Sequence, residues 1–142
     1  MSCRCPRSFA SLFLLTLASL TGCGPSAPAG YVVPKGKLTN AGQPLTVKPM
    51  VGLIEVIFLR QAPEGTPVDP QIAKLNPDGT FVVHGTGGQG LEPGKYKIVV
   101  RQWDEYPNKD TLKGAFDEKN TKIVRDVTGN EEIVIDVSKP AG

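Results

Sequence analysis

Beyond position 23 the chain contains no cysteine, and its 142 residues include one histidine, one tryptophan and no run of lysine or arginine. Without thiols, everything after Cys23 can form neither a disulfide nor a thiolate metal site. The lone histidine, His84, sits among glycines in His84-Gly85-Thr86-Gly87-Gly88-Gln89-Gly90. A nucleophile needs a base beside it, and no such pair is visible. The glycine-rich stretch lacks the Lys-Ser/Thr ending of a phosphate loop and the following helix of a dinucleotide site, so it reads as a flexible connection between strands. Without a basic stripe there is no footprint for nucleic acid. Long helices are not expected either, because 16 glycines and 13 prolines recur along the chain and no window shows a convincing helical period. The apolar stretch Phe9 to Leu20 carries no charge, yet it is shorter than the roughly 20 residues that cross a bilayer core.

What is present begins with that stretch. It follows Arg4 and Arg7 and ends in Leu20-Thr21-Gly22-Cys23. A cationic start, a short apolar run and small residues form the secretory pattern, not a membrane span. With cysteine in fourth place the order resembles the signal peptide of a bacterial lipoprotein. The resemblance implies cleavage between Gly22 and Cys23. It also implies a lipid of two or three acyl chains, palmitate among them, on the Cys23 thiol and amine. One chain binds a membrane only marginally, whereas two or three hold it firmly. A plain secretory signal is the alternative. Gly24, where an aspartate would favour inner-membrane retention, leans towards the outer membrane.

Cleavage removes two of the sixteen basic residues and none of the fourteen acidic ones, which leaves the mature chain formally neutral. Three segments follow: residues 1–22 as signal peptide, 23–30 as lipidated cysteine and tether, and 31–142 as one folded domain. The tether Gly24-Pro25-Ser26-Ala27-Pro28-Ala29-Gly30 has small residues and prolines but no core of its own. About 110 residues can bury enough apolar surface to fold without cross-links.

From Tyr31 onward the pattern is β. Tyr96, Ile98 and Val100 alternate with Lys95, Lys97 and Arg101; Ile133, Ile135 and Val137 alternate with Glu132 and Asp136. That period of two marks half-buried strands. The run Leu53–Leu59, broken only by Glu55, predicts a central strand partly covered on both sides. Asn76-Pro77-Asp78-Gly79, between Ile72–Leu75 and Thr80–Val83, predicts a hairpin. Asn40-Ala41-Gly42-Gln43-Pro44 predicts a second turn. Leu91-Glu92-Pro93-Gly94-Lys95-Tyr96 reads as a tyrosine corner, with Leu91 plugging the bend. Short strands between frequent turns predict an all-β sandwich.

Four of these segments also resemble a family by their order: Gly36-Lys37-Leu38-Thr39, Gly42-Gln43-Pro44-Leu45, Asp78-Gly79-Thr80-Phe81 and Pro93-Gly94-Lys95-Tyr96. They are similar to transthyretin-like, carboxypeptidase-regulatory-like domains, which small lipoproteins of planctomycete type carry behind a similar signal. The resemblance covers roughly residues 32 to 138 and implies an Ig-like, seven-stranded antiparallel β-sandwich. It implies little about activity. Hydrolases of that fold rely on several histidines, and this chain has one. The segment Trp103 to Phe116 departs from the family pattern by its length.

Function therefore reads as non-enzymatic, with no cofactor and no metal: a binding or structural role at the cell envelope. The alternatives are a module for carbohydrate or envelope polymer and an accessory subunit of a surface or export assembly. The expected contacts are membrane lipid through Cys23 and an envelope protein or glycan. Trp103, Tyr106 and Phe116 are the candidates for partner contact, because loop aromatics anchor interfaces and stack on sugars. Their alternative role is to cap the end of the sandwich. Asp104, Glu105, Asp110, Asp117 and Glu118 could supply oxygens to a cation, but Lys109, Lys113 and Lys119 are interleaved and the spacing matches no EF-hand. Lys37, Glu55 and Asn130 have the residue types of an internal isopeptide cross-link.

Overall fold

A computed structural model describes residues 28–47, 50–63, 65–129 and 131–139. The signal peptide, Gly22, Cys23 and Asn130 lie outside them. The described residues form β1 (Lys35–Asn40), β2 (Gln43–Pro44), β3 (Leu53–Arg60), β4 (Gln71–Ile72), β5 (Lys74–Leu75) and β6 (Thr80–Val82). After a 3-10 turn at Thr86–Gly88 come β7 (Gly94–Glu105), β8 (Lys109–Asp110), β9 (Val124–Val127) and β10 (Glu132–Asp136). No helix among the described residues is long and apolar enough to cross a membrane.

The strands form two sheets. One runs β10-β1-β6-β5 with β2 also on β1; the other runs β4-β3-β7-β8 with β9 also on β7. Alternation directs Leu38, Phe81, Val83, Ile133 and Ile135 of the first sheet against Ile54, Val56, Phe58, Tyr96, Ile98, Val100 and Val127 of the second. The result is an all-β sandwich around one core. Phe58 touches both Phe81 and Tyr96, at centroid distances of 6.0 and 6.2 Å, and so ties the sheets together. As the apolar run predicts, β3 is central, with Ile54, Val56 and Phe58 buried and Glu55, Ile57 and Leu59 half-buried on the outer face.

Two details depart from the expectation of seven antiparallel strands. Ten strands are present among the described residues, several of only two residues. One pair is also parallel: β1 runs alongside β10 with Gly36 opposite Ile133. The parallel pair joins the two ends of the domain and needs no hairpin between them, so sequence adjacency gave no hint of it. Gly36 makes the pairing possible, since a Cβ there would lie 2.0 Å from the Ile133 carbonyl oxygen and 2.5 Å from Phe81 Cζ.

The turns follow their residues. Ala41 and Gly42 both have positive φ, 51° and 80°, which closes the two-residue β1–β2 hairpin. At the β5–β6 turn Gly79 has φ 80°, and the Asp78 carboxylate accepts from the Thr80 amide at 2.9 Å and its hydroxyl at 2.6 Å. Ala73 is where the chain changes sheets: β4 pairs with β3, β5 pairs with β6, and the Ala73 amide donates to the Val56 carbonyl at 2.9 Å. The tyrosine corner is present. Tyr96 Oη donates to the Glu92 carbonyl at 2.8 Å while Leu91 is buried beneath.

These connections give the sandwich two distinct ends. Val32 bridges to Leu91, so the N-terminal end of the described chain enters beside the tyrosine corner. At the other end Leu53 pairs with Trp103. From Tyr96 to Trp103 the strand spans about 23 Å at roughly 3.3 Å per residue.

Candidate functional site

Trp103 is out of phase with Tyr96, Ile98 and Val100, and accordingly it lies on the outer face of its sheet. There its indole Nε1 donates to Glu55 Oε2 at 2.8 Å, which fixes the half-buried ring. A bulge between Trp103 and Glu105 then redirects β7 into the tight connection to β8. The ring of Tyr106 meets Trp103 edge-on, with centroids 5.7 Å apart and planes at 88°. Tyr106 is 56% exposed, and its amide donates to the Val51 carbonyl at 3.4 Å.

That bond brings in the segment before β3. Met50, Val51 and Leu53 are 102%, 52% and 39% exposed. Leu53 also lines an apolar groove of about 430 Å³ at the mouth between the sheets, with Leu45, Val47, Ile54, Leu75 and Pro77. Exposed side chains, the aromatic pair and the groove together make one apolar end on a domain whose other large apolar residues are mostly interior. Exposed apolar surface makes this end the candidate for contact with another molecule. No protein-family model, curated protein or solved structure matches the chain. The apolar end therefore has to be interpreted from its own chemistry.

Phe116 does not belong to it. The chain after β8 folds back along β7, where the Val100 amide donates to the Phe116 carbonyl at 3.0 Å and the Ile98 amide to the Ile123 carbonyl at 2.9 Å. The Phe116 ring thereby enters the core and is 1% exposed. It closes the side of the sandwich and has no surface to offer a partner. Trp103 and Tyr106 are brought together, as their spacing across the turn suggests.

Two of the acidic residues of this segment, Asp110 and Asp117, hold the loop itself. Asp110 Oδ1 accepts from the amides of Gln102 and Leu112 at 3.2 and 3.0 Å, and its Oδ2 accepts from Gly114 at 2.8 Å. Asp117 Oδ1 accepts from the amides of Lys119 and Asn120 at 3.0 and 2.9 Å. Lys109 pairs with Asp104 at 3.5 Å. Among the described residues no three potential ligands converge as a metal site would require. Lys37 and Glu55 do not meet either. Lys37 faces out from the first sheet beside Glu132, at 3.5 Å, and Glu55 faces out from the second.

The residues that sequence reasoning missed are Met50, Val51, Leu53 and the groove. Apolar residues beside a strand are ordinarily counted as core, and Leu53 differs from Ile54 only in pointing outward. The one available signal was Met50-Val51, an apolar pair standing just outside a strand pattern.

Proposed function

We propose that this chain is a lipid-anchored, non-enzymatic binding module of the bacterial cell envelope, held through Cys23 on the periplasmic or surface side of a membrane, the outer membrane in Gram-negative cells. Its domain is an Ig-like, transthyretin-like sandwich, a reading supported by the order of its turn motifs and by the tyrosine corner. The apolar end of the sandwich serves as its contact surface for another envelope protein. The observation that carries this is position. The tether enters beside Leu91 and Tyr96, while Met50, Val51, Leu53, Trp103 and Tyr106 lie at the opposite end of β7. An anchor at one end presents the other away from the bilayer, where a partner can reach it.

A protein partner suits this surface better than a glycan. Sugar stacking uses a flat, open ring face, whereas Trp103 is half-buried with Tyr106 perpendicular against it. An apolar groove beside projecting aliphatic residues instead receives apolar side chains of a partner.

The test places a photo-crosslinking residue at Tyr106 in the full chain, expressed in its own membranes. A discrete protein adduct that disappears in Trp103→Ala and Leu53→Asp supports the reading. No adduct at Tyr106, or one unchanged in both variants, removes the apolar end as a contact site. Separately, Cys23→Ser should release the protein from the membrane fraction. Continued membrane association would argue against the lipid anchor.

A further inference from the structure

The end of the sandwich nearest the tether carries a second concavity with different chemistry. It is an open cleft of about 520 Å³, within the range of small-ligand sites. Three distant segments build it: the entering chain with Tyr31, the facing ends of β3 and β4 with Arg60 and Gln71, and the glycine-rich loop with Thr86 and Gln89, closed by Glu92.

Its polar groups are already held in place. Thr86 Oγ1 donates to Gln71 Oε1 at 3.1 Å, and Gln71 Nε2 donates to the Asp69 carbonyl at 3.1 Å. The Arg60 guanidinium is paired with the Glu92 carboxylate, to which the Tyr31 hydroxyl donates at 3.5 Å. The glycines around it are structural requirements and not mere slack. A Cβ on Gly85 would lie 1.9 Å from the Gly90 carbonyl oxygen, and one on Gly90 would lie 2.5 Å from the Val32 oxygen. Gly87, at φ 67°, has open space where a side chain would be, so bare backbone forms that part of the wall.

The composition of the cleft narrows what it can hold. Among the described residues that line it, the one cation, Arg60, is paired with Glu92, and Asp69 adds negative charge, so an anion gains little there. About half of the lining is apolar, with Ala62, Pro67, Val68 and Leu91, and half polar, so a wholly apolar ligand would take water from the unused donors and acceptors of the polar half. A sugar fits the remaining set. Each hydroxyl of a sugar both donates and accepts, as do the amides of Gln71 and Gln89 and the hydroxyl of Thr86, while the Arg60–Glu92 pair offers donors and acceptors side by side. Tyr31, half-buried at the edge of the cleft, adds ring carbons and a hydroxyl to the lining. From this arrangement we infer that the cleft between Tyr31, Gln71 and the glycine-rich loop is a binding site for neutral saccharide units, separate from the apolar end. An envelope polymer of sugars could then be held near the anchor while the far end engages a protein.

The test is titration calorimetry on the full chain in a sugar-free detergent, with chitotriose and maltotriose as probes and inorganic phosphate as competitor. Saturable binding of either trisaccharide is expected, weakened by about tenfold in Gln71→Ala and in Thr86→Val and unchanged in Trp103→Ala. Because Gln71 also buttresses the loop, Thr86→Val decides if Gln71→Ala lowers the melting temperature. Three results each overturn the inference: no binding of either sugar up to about 20 mM, binding lost in Trp103→Ala but kept in the cleft variants, or displacement by phosphate.

Discussion

Replacing Gly36 by alanine sets two opposing effects against each other in one methyl group. In the middle of a strand, alanine should stabilise by roughly 0.5–1 kcal/mol, because glycine loses more chain entropy on folding. At this position the new Cβ lies 2.0 Å from the Ile133 oxygen and 2.5 Å from Phe81 Cζ, where ordinary contact begins near 3.4 Å. The Phe81 ring can turn a little, but Ile133 O is backbone in β10 and must retreat by more than 1 Å. That movement disrupts about two ladder hydrogen bonds, worth about 1 kcal/mol each. Crowding Phe81 in the core adds about 1–3 kcal/mol. Sterics win, and the net loss is about 2–4 kcal/mol, a large part of the roughly 5–15 kcal/mol that holds a domain folded. With a urea slope of about 1.5 kcal/mol per molar, the unfolding midpoint should fall by roughly 1.3–2.7 M. Gly129→Ala is the control, since nothing lies within 4 Å of its Cβ and its φ is not left-handed. It should leave the midpoint unchanged or slightly raised. A Gly36→Ala midpoint at or above the parent's would mean that β10 does not lie against β1 in this register.

Tyr96→Phe removes the hydroxyl that donates to the Glu92 carbonyl and should destabilise by about 1–2 kcal/mol, lowering the melting temperature by roughly 5–10 °C. Burial also raises the Tyr96 pKa above 10.0, so the unfolded chain ionises first. Stability should therefore fall as pH climbs past 10, and less steeply in the phenylalanine variant, as alkaline melting curves would reveal. Ala41→Asn should stabilise by about 0.5–1 kcal/mol in urea unfolding, because φ 51° costs alanine more than asparagine and the position is exposed. Asp78 and Asp136 are both held below the usual 3.8, Asp78 by Thr80's side-chain and backbone donors and Asp136 by the backbone and then the side-chain donor of Ser138. Their contribution is present above 3.8 and disappears as pH falls through the lower folded values, so Asp78→Asn with Asp136→Asn should flatten the acid limb of a stability–pH curve.

Local rules settled much of this protein from sequence alone. Alternation placed Tyr96, Ile98, Val100, Ile133 and Ile135 inward, because a strand turns successive side chains to opposite faces whatever surrounds it. Asn76-Pro77-Asp78-Gly79 and Ala41-Gly42 made their turns because proline and glycine dictate φ within a few residues. The same phase argument left Trp103 on the outer face or at the strand end, and the bond to Glu55 decides for the outer face. Contacts between distant segments were not legible in this way. The parallel register of β1 on β10, the tight fit of Gly36 beneath Phe81 and the change of sheet at Ala73 depend on how the two layers meet. Phe116, outward in a linear reading, turns into the core because its segment hydrogen-bonds along β7. The apolar end joins Met50 to Tyr106, and the polar cleft joins Tyr31 to Thr86, across more than fifty residues of chain in each case. Local pattern records the direction of each side chain, but only packing decides which directions converge.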